Sequence, residues 1–138
     1  MRQRKGPAVT QDVIEHPAHY AAHAVEISGQ RYEPIDWAEQ YGFRLGTILT
    51  YLIRYADKGG DEDLAKAAWY LRRELRRGRP QDLLADMEGF SAMLAVQFRR
   101  QNAYLKLLVD QEGHITRETL QQCLQAVERH LTGAQHAS

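Results

Sequence analysis

Apolar residues return at helical intervals along most of this chain. Leu45, Ile48, Leu49, Leu52, Ile53 and Ala56 fall on one face of a helix expected over 44–57. Leu64, Ala67, Ala68, Leu71 and Leu75 form a second stripe from Asp61 to Arg77. Gly59 sits between the two as a left-handed stop, since it has no Cβ to clash. A third pattern runs from Gln81 to Val109 through Leu83, Met87, Phe90, Leu94, Phe98, Gln101, Leu105 and Leu108. As one helix it would be about 40 Å long at 1.5 Å per residue, with Gly89 and Ser91 as the places for a bend or break. A last helix starts after Thr116 and carries Leu120, Leu124, Val127 and Leu131.

Ahead of these, Pro34 suits the first turn of a short helix over 35–41 that ends at Gly42. In residues 24–33, Val25 and Ile27 alternate with polar neighbours and Gly29-Gln30 can turn the chain. A small β-hairpin and an ordered loop fit equally well there. The pattern predicts an all-α fold of four to five helices, with a central helical hairpin and a long third helix. Residues 1–14 read as a loose arm. Residues 15–138 read as one helical domain, in which a block at 15–75 precedes the C-terminal helices of 80–138. A third helix of that length exceeds what one small core needs, so self-association through 81–131 is expected.

Composition narrows the function classes. The 18 basic and 18 acidic residues balance, so overall charge gives no argument for nucleic acid or a membrane surface as partner. The single cysteine, Cys123, excludes an intramolecular disulfide and a cysteine zinc cluster, fits a reducing cytosol and reads as a packing residue. No apolar run approaches the roughly 20 residues of a membrane helix. The basic start at Met1–Lys5 has no apolar region after it, as a secretory signal would require.

Neither a P-loop nor a Rossmann glycine pattern occurs, so any phosphate must be held by side chains and helix N-termini. His16, His19 and His23 have ligand-like spacing, but Pro17 disturbs a helix through them and no metal site is expected. Hydrogen bonds that shape a loop, phosphate contact and proton transfer remain as their readings. Glu33-x-x-Asp36 and Asp61-Glu62-Asp63 can hold Mg²⁺. Both also stand where helices begin, and capping is the reading those positions favour.

Arg54, Lys58 and Lys66, with Tyr51 and Tyr70, can surround an anion across a helical hairpin. The competing reading pairs these cations with Asp61–Asp63. The arginines from Arg72 to Arg79 read as a solvated or ion-paired helix end. Asp110–Ile115 echoes a calcium loop but places Leu108 and Thr119 where the end ligands belong.

Several short motifs, taken in order, carry a resemblance. They are His16-Pro17-x-His19-Tyr20; Glu33-x-Ile35-Asp36; Phe43-x-Leu45-Gly46 with Tyr51, Arg54 and Lys58; and Glu62-Asp63-Leu64-x-Lys66-Ala67-x-Trp69-Tyr70-Leu71. Over about residues 15–75 the chain resembles the SaV-like phage proteins, a family of unknown function that includes a phage nucleotide kinase without a P-loop. Thr47 and Thr50 stand where that family often has Asn and Lys.

The resemblance implies a phage or prophage protein of the host cytosol that binds a nucleotide, with Mg²⁺ accompanying it, and phosphorylates a deoxynucleoside monophosphate. His16 and His19 would be catalytic, orienting the substrate or relaying a proton. Arg54, Lys58 and Lys66 would hold phosphates, and Tyr51 or Tyr70 would contact base or sugar. Tyr20 and Asp63 complete the ligand-binding set. The alternative is a non-catalytic phage protein whose C-terminal helices bind a host factor or a second copy. A helical pyrophosphohydrolase would need paired E-x-x-E/D motifs, and only Glu33-x-x-Asp36 qualifies.

Overall fold

The computed structural model describes residues 22–77 and 89–136. The arm, His16, His19, Tyr20, Arg79, Leu83 and Met87 lie outside the described residues. Strands β1 (Val25–Ile27) and β2 (Gln30–Tyr32) pair antiparallel, with Val25 opposite Tyr32. The turn is Ser28-Gly29, one residue earlier than the sequence pattern indicates. Both residues have positive φ, 54° and 80°, as the tight turn that follows strand twist demands.

Helix α1 (Pro34–Ala38) follows directly. Asp36 reaches back to accept the Glu33 N–H at 2.7 Å, so this acidic pair caps the helix it begins. Trp37 is fully buried, stacks on Phe98 with ring centroids 5.1 Å apart, and donates its indole N–H to the Tyr41 hydroxyl at 2.8 Å.

Helix α2 (Phe43–Arg54) buries the stripe Leu45, Ile48, Leu49, Leu52 and Ile53. It passes close to α1: a Cβ on Gly46 would stand 3.0 Å from the Ala38 carbonyl oxygen. A π-helical turn, Tyr55–Gly59, replaces the end of the expected helix, turns Ala56 out to solvent instead of onto the buried stripe, and leads into α3 (Gly60–Arg77). The positive φ falls on Gly60 (51°), one residue beyond the expected stop at Gly59.

The expected long third helix is not continuous. Helix α4 (Gly89–Phe98) passes through a 3₁₀ turn, Arg99–Gln101, and stops at Asn102, whose backbone is extended. Asn102 caps α5 (Ala103–Leu108) by accepting the Leu105 N–H at 3.0 Å, and its amide donates to the Leu52 carbonyl at 3.0 Å. The break therefore anchors on α2. Leu94, Phe98, Leu105 and Leu108 are buried in the chain's own core, together with Leu64, Leu71, Leu120 and Val127. A second copy is not needed to cover these four, whereas Phe90 of the same stripe is 45 % exposed.

Helix α6 (Arg117–His136) packs on α3 and α5. Before it, Asp110 accepts the N–H groups of Glu112 and His114, both at 2.9 Å, so the calcium-like segment is a carboxylate-tied turn. No helix among the described residues is long and apolar enough to cross a membrane.

Cys123 is fully buried on α6, and burial pushes its thiol up to about 12 from an ordinary value near 9. The reactive thiolate is therefore scarce at pH 8. A colorimetric disulfide reagent is expected to leave native protein unlabelled at that pH and to react fully once urea unfolds it. Rapid labelling of native protein would contradict this packing.

Candidate ligand-binding site

The elbow between α1 and α2 opens a cleft of about 300 Å³. Its walls are Ile35, Ala38 and Glu39 on one side, Tyr41, Gly42 and Phe43 at the bend, and Gly46, Thr47, Thr50, Tyr51 and Arg54 along α2. Positions 47, 50, 51 and 54 are three, four and seven residues apart, which puts them on one helical face away from the buried leucines. Gly46 lets α1 approach closely enough to form the elbow.

Helix α3 extends this face. The Tyr51 and Tyr70 rings lie 6.3 Å apart at an angle of 24°, and Phe43 meets Tyr70 edge-on at 6.2 Å. Phe43 is 76 % exposed, so the ring is offered to solvent at the cleft mouth. Two cations flank Tyr51: the Arg54 guanidinium is 5.9 Å and the Lys66 ammonium 5.6 Å from its centroid.

Behind Arg54 stands Asp63, only 2 % exposed, with one carboxylate oxygen 3.7 Å from the arginine Nε. That separation is an ion pair and too long for a hydrogen bond, and the oxygen has no other hydrogen-bond partner among the described residues. Among the described residues, no acceptor stands within hydrogen-bond distance of Arg54. A guanidinium with five N–H donors thus ends an aromatic cleft with its charge balanced from behind and its donors unused by the described residues.

Tyr51, Arg54, Asp63, Lys66 and Tyr70 are thereby gathered on one surface. Lys58 lies in the π-helical turn that follows α2. The three acids at the start of α3 diverge: Asp61 meets His130 at 2.9 Å, Glu62 faces Lys66 at 4.0 Å, and Asp63 is buried against Arg54. With Asp36 occupied as a cap, these carboxylates do not converge as the oxygen cage that Mg²⁺ takes.

The arginines at the end of α3 are in part ion-paired, since Arg72 reaches Glu128 of α6 at 2.9 Å. Arg44 pairs with the buried Glu74 on the far side of Phe43. His23 has a carboxylate partner, Asp57, which sequence spacing did not reveal. Its Nε2 lies 3.1 Å from both Asp57 oxygens, and its Nδ1 lies 3.0 Å from the Gln101 side-chain oxygen. The Gln101 amide in turn donates to the His23 carbonyl at 2.8 Å. This histidine ties the hairpin segment to the π-helical turn and to the 3₁₀ turn after α4, the hydrogen-bonding role among its readings.

Glu39, Tyr41 and Thr47 were not identified as lining residues from sequence, and Phe43 stood out only as part of a motif. The available signal was the seven-residue face 47–50–51–54 beside the core stripe.

Residues 14–72 match a family described as a protein of unknown function (DUF3310). The match takes in β1, β2, α1, α2 and most of α3, hence every wall of the cleft, and leaves α4 to α6 outside it. No curated protein and no solved structure matches the chain.

Proposed function

We propose that this chain binds a nucleotide in the α1–α2 cleft, with the base against Phe43 and Tyr51 and the phosphate at Arg54 and Lys66. The observation that carries the reading is Arg54. Among the described residues its donors are unused, its charge is balanced by the buried Asp63, and it closes a cleft with aromatic walls. Arginine matches phosphate oxygens with paired N–H groups, and ligand clefts combine apolar walls with a few such placed polar groups. Thr47 and Glu39 add polar side chains that have no hydrogen-bond partner among the described residues.

The SaV-like resemblance extends the proposal to phosphorylation of a deoxynucleoside monophosphate, with His16 or His19 orienting the substrate or relaying a proton. Phosphoryl transfer asks a protein mainly for positioning and charge neutralisation, which a cationic helical hairpin can supply without a P-loop.

A thermal-shift panel of nucleosides, nucleoside monophosphates and triphosphates, with and without Mg²⁺, tests the binding. At a hundredfold excess over Kd a ligand specific for the native state adds ~2.7 kcal/mol, several degrees in melting temperature. Phosphorylated ligands are expected to shift the protein and nucleosides much less. No shift with any phosphate-bearing ligand would overturn the proposal in favour of a non-catalytic interaction protein.

A further inference from the structure

Beyond the cleft, cations and aromatic rings continue to alternate along the exposed face of α3. Lys66, Trp69 and Arg73 stand three and four residues apart on one helical stripe. Trp69 meets Tyr70 edge-on at 4.9 Å and is 48 % exposed, and the Arg73 guanidinium lies 5.5 Å from the Trp69 centroid. Arg73 has no hydrogen-bond or ion-pair partner among the described residues. The stripe joins the cleft, because Lys66 also flanks Tyr51. From Arg54 to Arg73 the surface therefore runs cation, ring, cation, ring, cation.

We infer that this ladder is a track for a single-stranded oligonucleotide, whose first nucleotide occupies the cleft and whose following base and phosphate lie on Trp69 and Arg73. Every base has a face that stacks on an aromatic ring, and every linkage carries one negative charge for a neighbouring cation, so the alternation matches the ligand's own repeat. An acidic peptide would use the cations and leave the exposed rings without purpose. The balanced charge of the whole chain is no objection. It is an average over the molecule: Glu74 of α3 is buried against Arg44, and the exposed acid beside the stripe, Glu62, faces Lys66 at 4.0 Å and leaves Arg73 unopposed among the described residues. The inference shares Tyr51 and Arg54 with the proposed nucleotide site and rests on that reading for its first position only.

Fluorescence anisotropy of end-labelled oligothymidylates of one to six nucleotides is the test. Affinity is expected to rise at least about fivefold from one nucleotide to three, the low end of what one stacked base contributes. Because Trp37 is fully buried, quenching of the protein's tryptophan emission on binding reports contact at Trp69. Trp69→Ala should remove the gain with length while leaving mononucleotide binding intact, and Trp69→Phe should restore most of it. Arg73→Ala should lower the salt dependence by about one phosphate contact. Both side chains are on the surface, and circular dichroism of the variants verifies the fold. Affinity that ignores length, or a length gain that survives Trp69→Ala, would overturn the track and leave the mononucleotide site standing. Competition by polyglutamate as effective as by oligothymidylate would assign the stripe to acidic protein instead. Failure of mononucleotides and oligonucleotides alike would remove both readings.

Discussion

Trp37→Ala is expected to destabilise the fold by about 3–5 kcal/mol, the usual cost of removing a fully buried large aromatic side chain. Trp37 touches more than one layer of the structure. Its ring lies parallel to Phe98 of α4, within 3°, and its indole N–H satisfies the Tyr41 hydroxyl. Burial raises the Tyr41 phenol to about 12, with the Trp37 hydrogen bond acting in the opposite direction. The substitution would therefore leave a cavity beneath α1 and an unpaired hydroxyl beside the cleft. Urea titration followed by circular dichroism should show a lower midpoint with an unchanged slope. A loss below about 1 kcal/mol would mean that α1 is not anchored through this ring, and the elbow that forms the cleft would lose its explanation.

Arg54→Ala is expected to weaken nucleotide binding by at least about tenfold, the scale of a lost charge-assisted hydrogen bond. It should also reduce stability by about 1–3 kcal/mol, because the buried Asp63 carboxylate would lose its counter-charge. The guanidinium is itself partly exposed, which keeps the stability loss below that of a fully buried pair. The double variant Arg54→Ala with Asp63→Asn separates the two effects. Removing both charges should recover much of the stability and none of the binding. Arg54→Lys keeps the charge without the paired donors and should bind only weakly. If Arg54→Ala binds nucleotide as the parent does, the phosphate assignment fails.

The parts of the fold legible in the sequence are those set by local periodicity. The stripe 45–48–49–52–53 and its partner 64–67–68–71 needed only the helical repeat to be found, and both are buried. Asn102 shows what periodicity misses. The apolar spacing continues through it, yet its amide bonds to a carbonyl 50 residues away on α2 and the helix stops. The same holds for His23, whose carboxylate partner Asp57 is 34 residues distant.

At the site, Tyr51, Arg54, Lys66 and Tyr70 were visible as polar and aromatic positions beside the core stripe. The cleft itself was not visible. It exists because Gly46 admits the Ala38 carbonyl, a contact between two helices that no single-helix pattern encodes. The π-helical turn moved the left-handed residue to Gly60 for a similar reason: an added residue in the turn leaves no trace in hydrophobic spacing.

The most direct measurement is a titration of ¹⁵N-labelled protein with a deoxynucleoside monophosphate, followed by two-dimensional amide spectra. The largest shifts are expected at Thr47, Thr50, Tyr51 and Arg54 on α2 and at Lys66 and Tyr70 on α3, with α6 unaffected. Saturable shifts confined to α4–α6, or no shifts at millimolar nucleotide, would contradict the claim that the α1–α2 cleft is a nucleotide site.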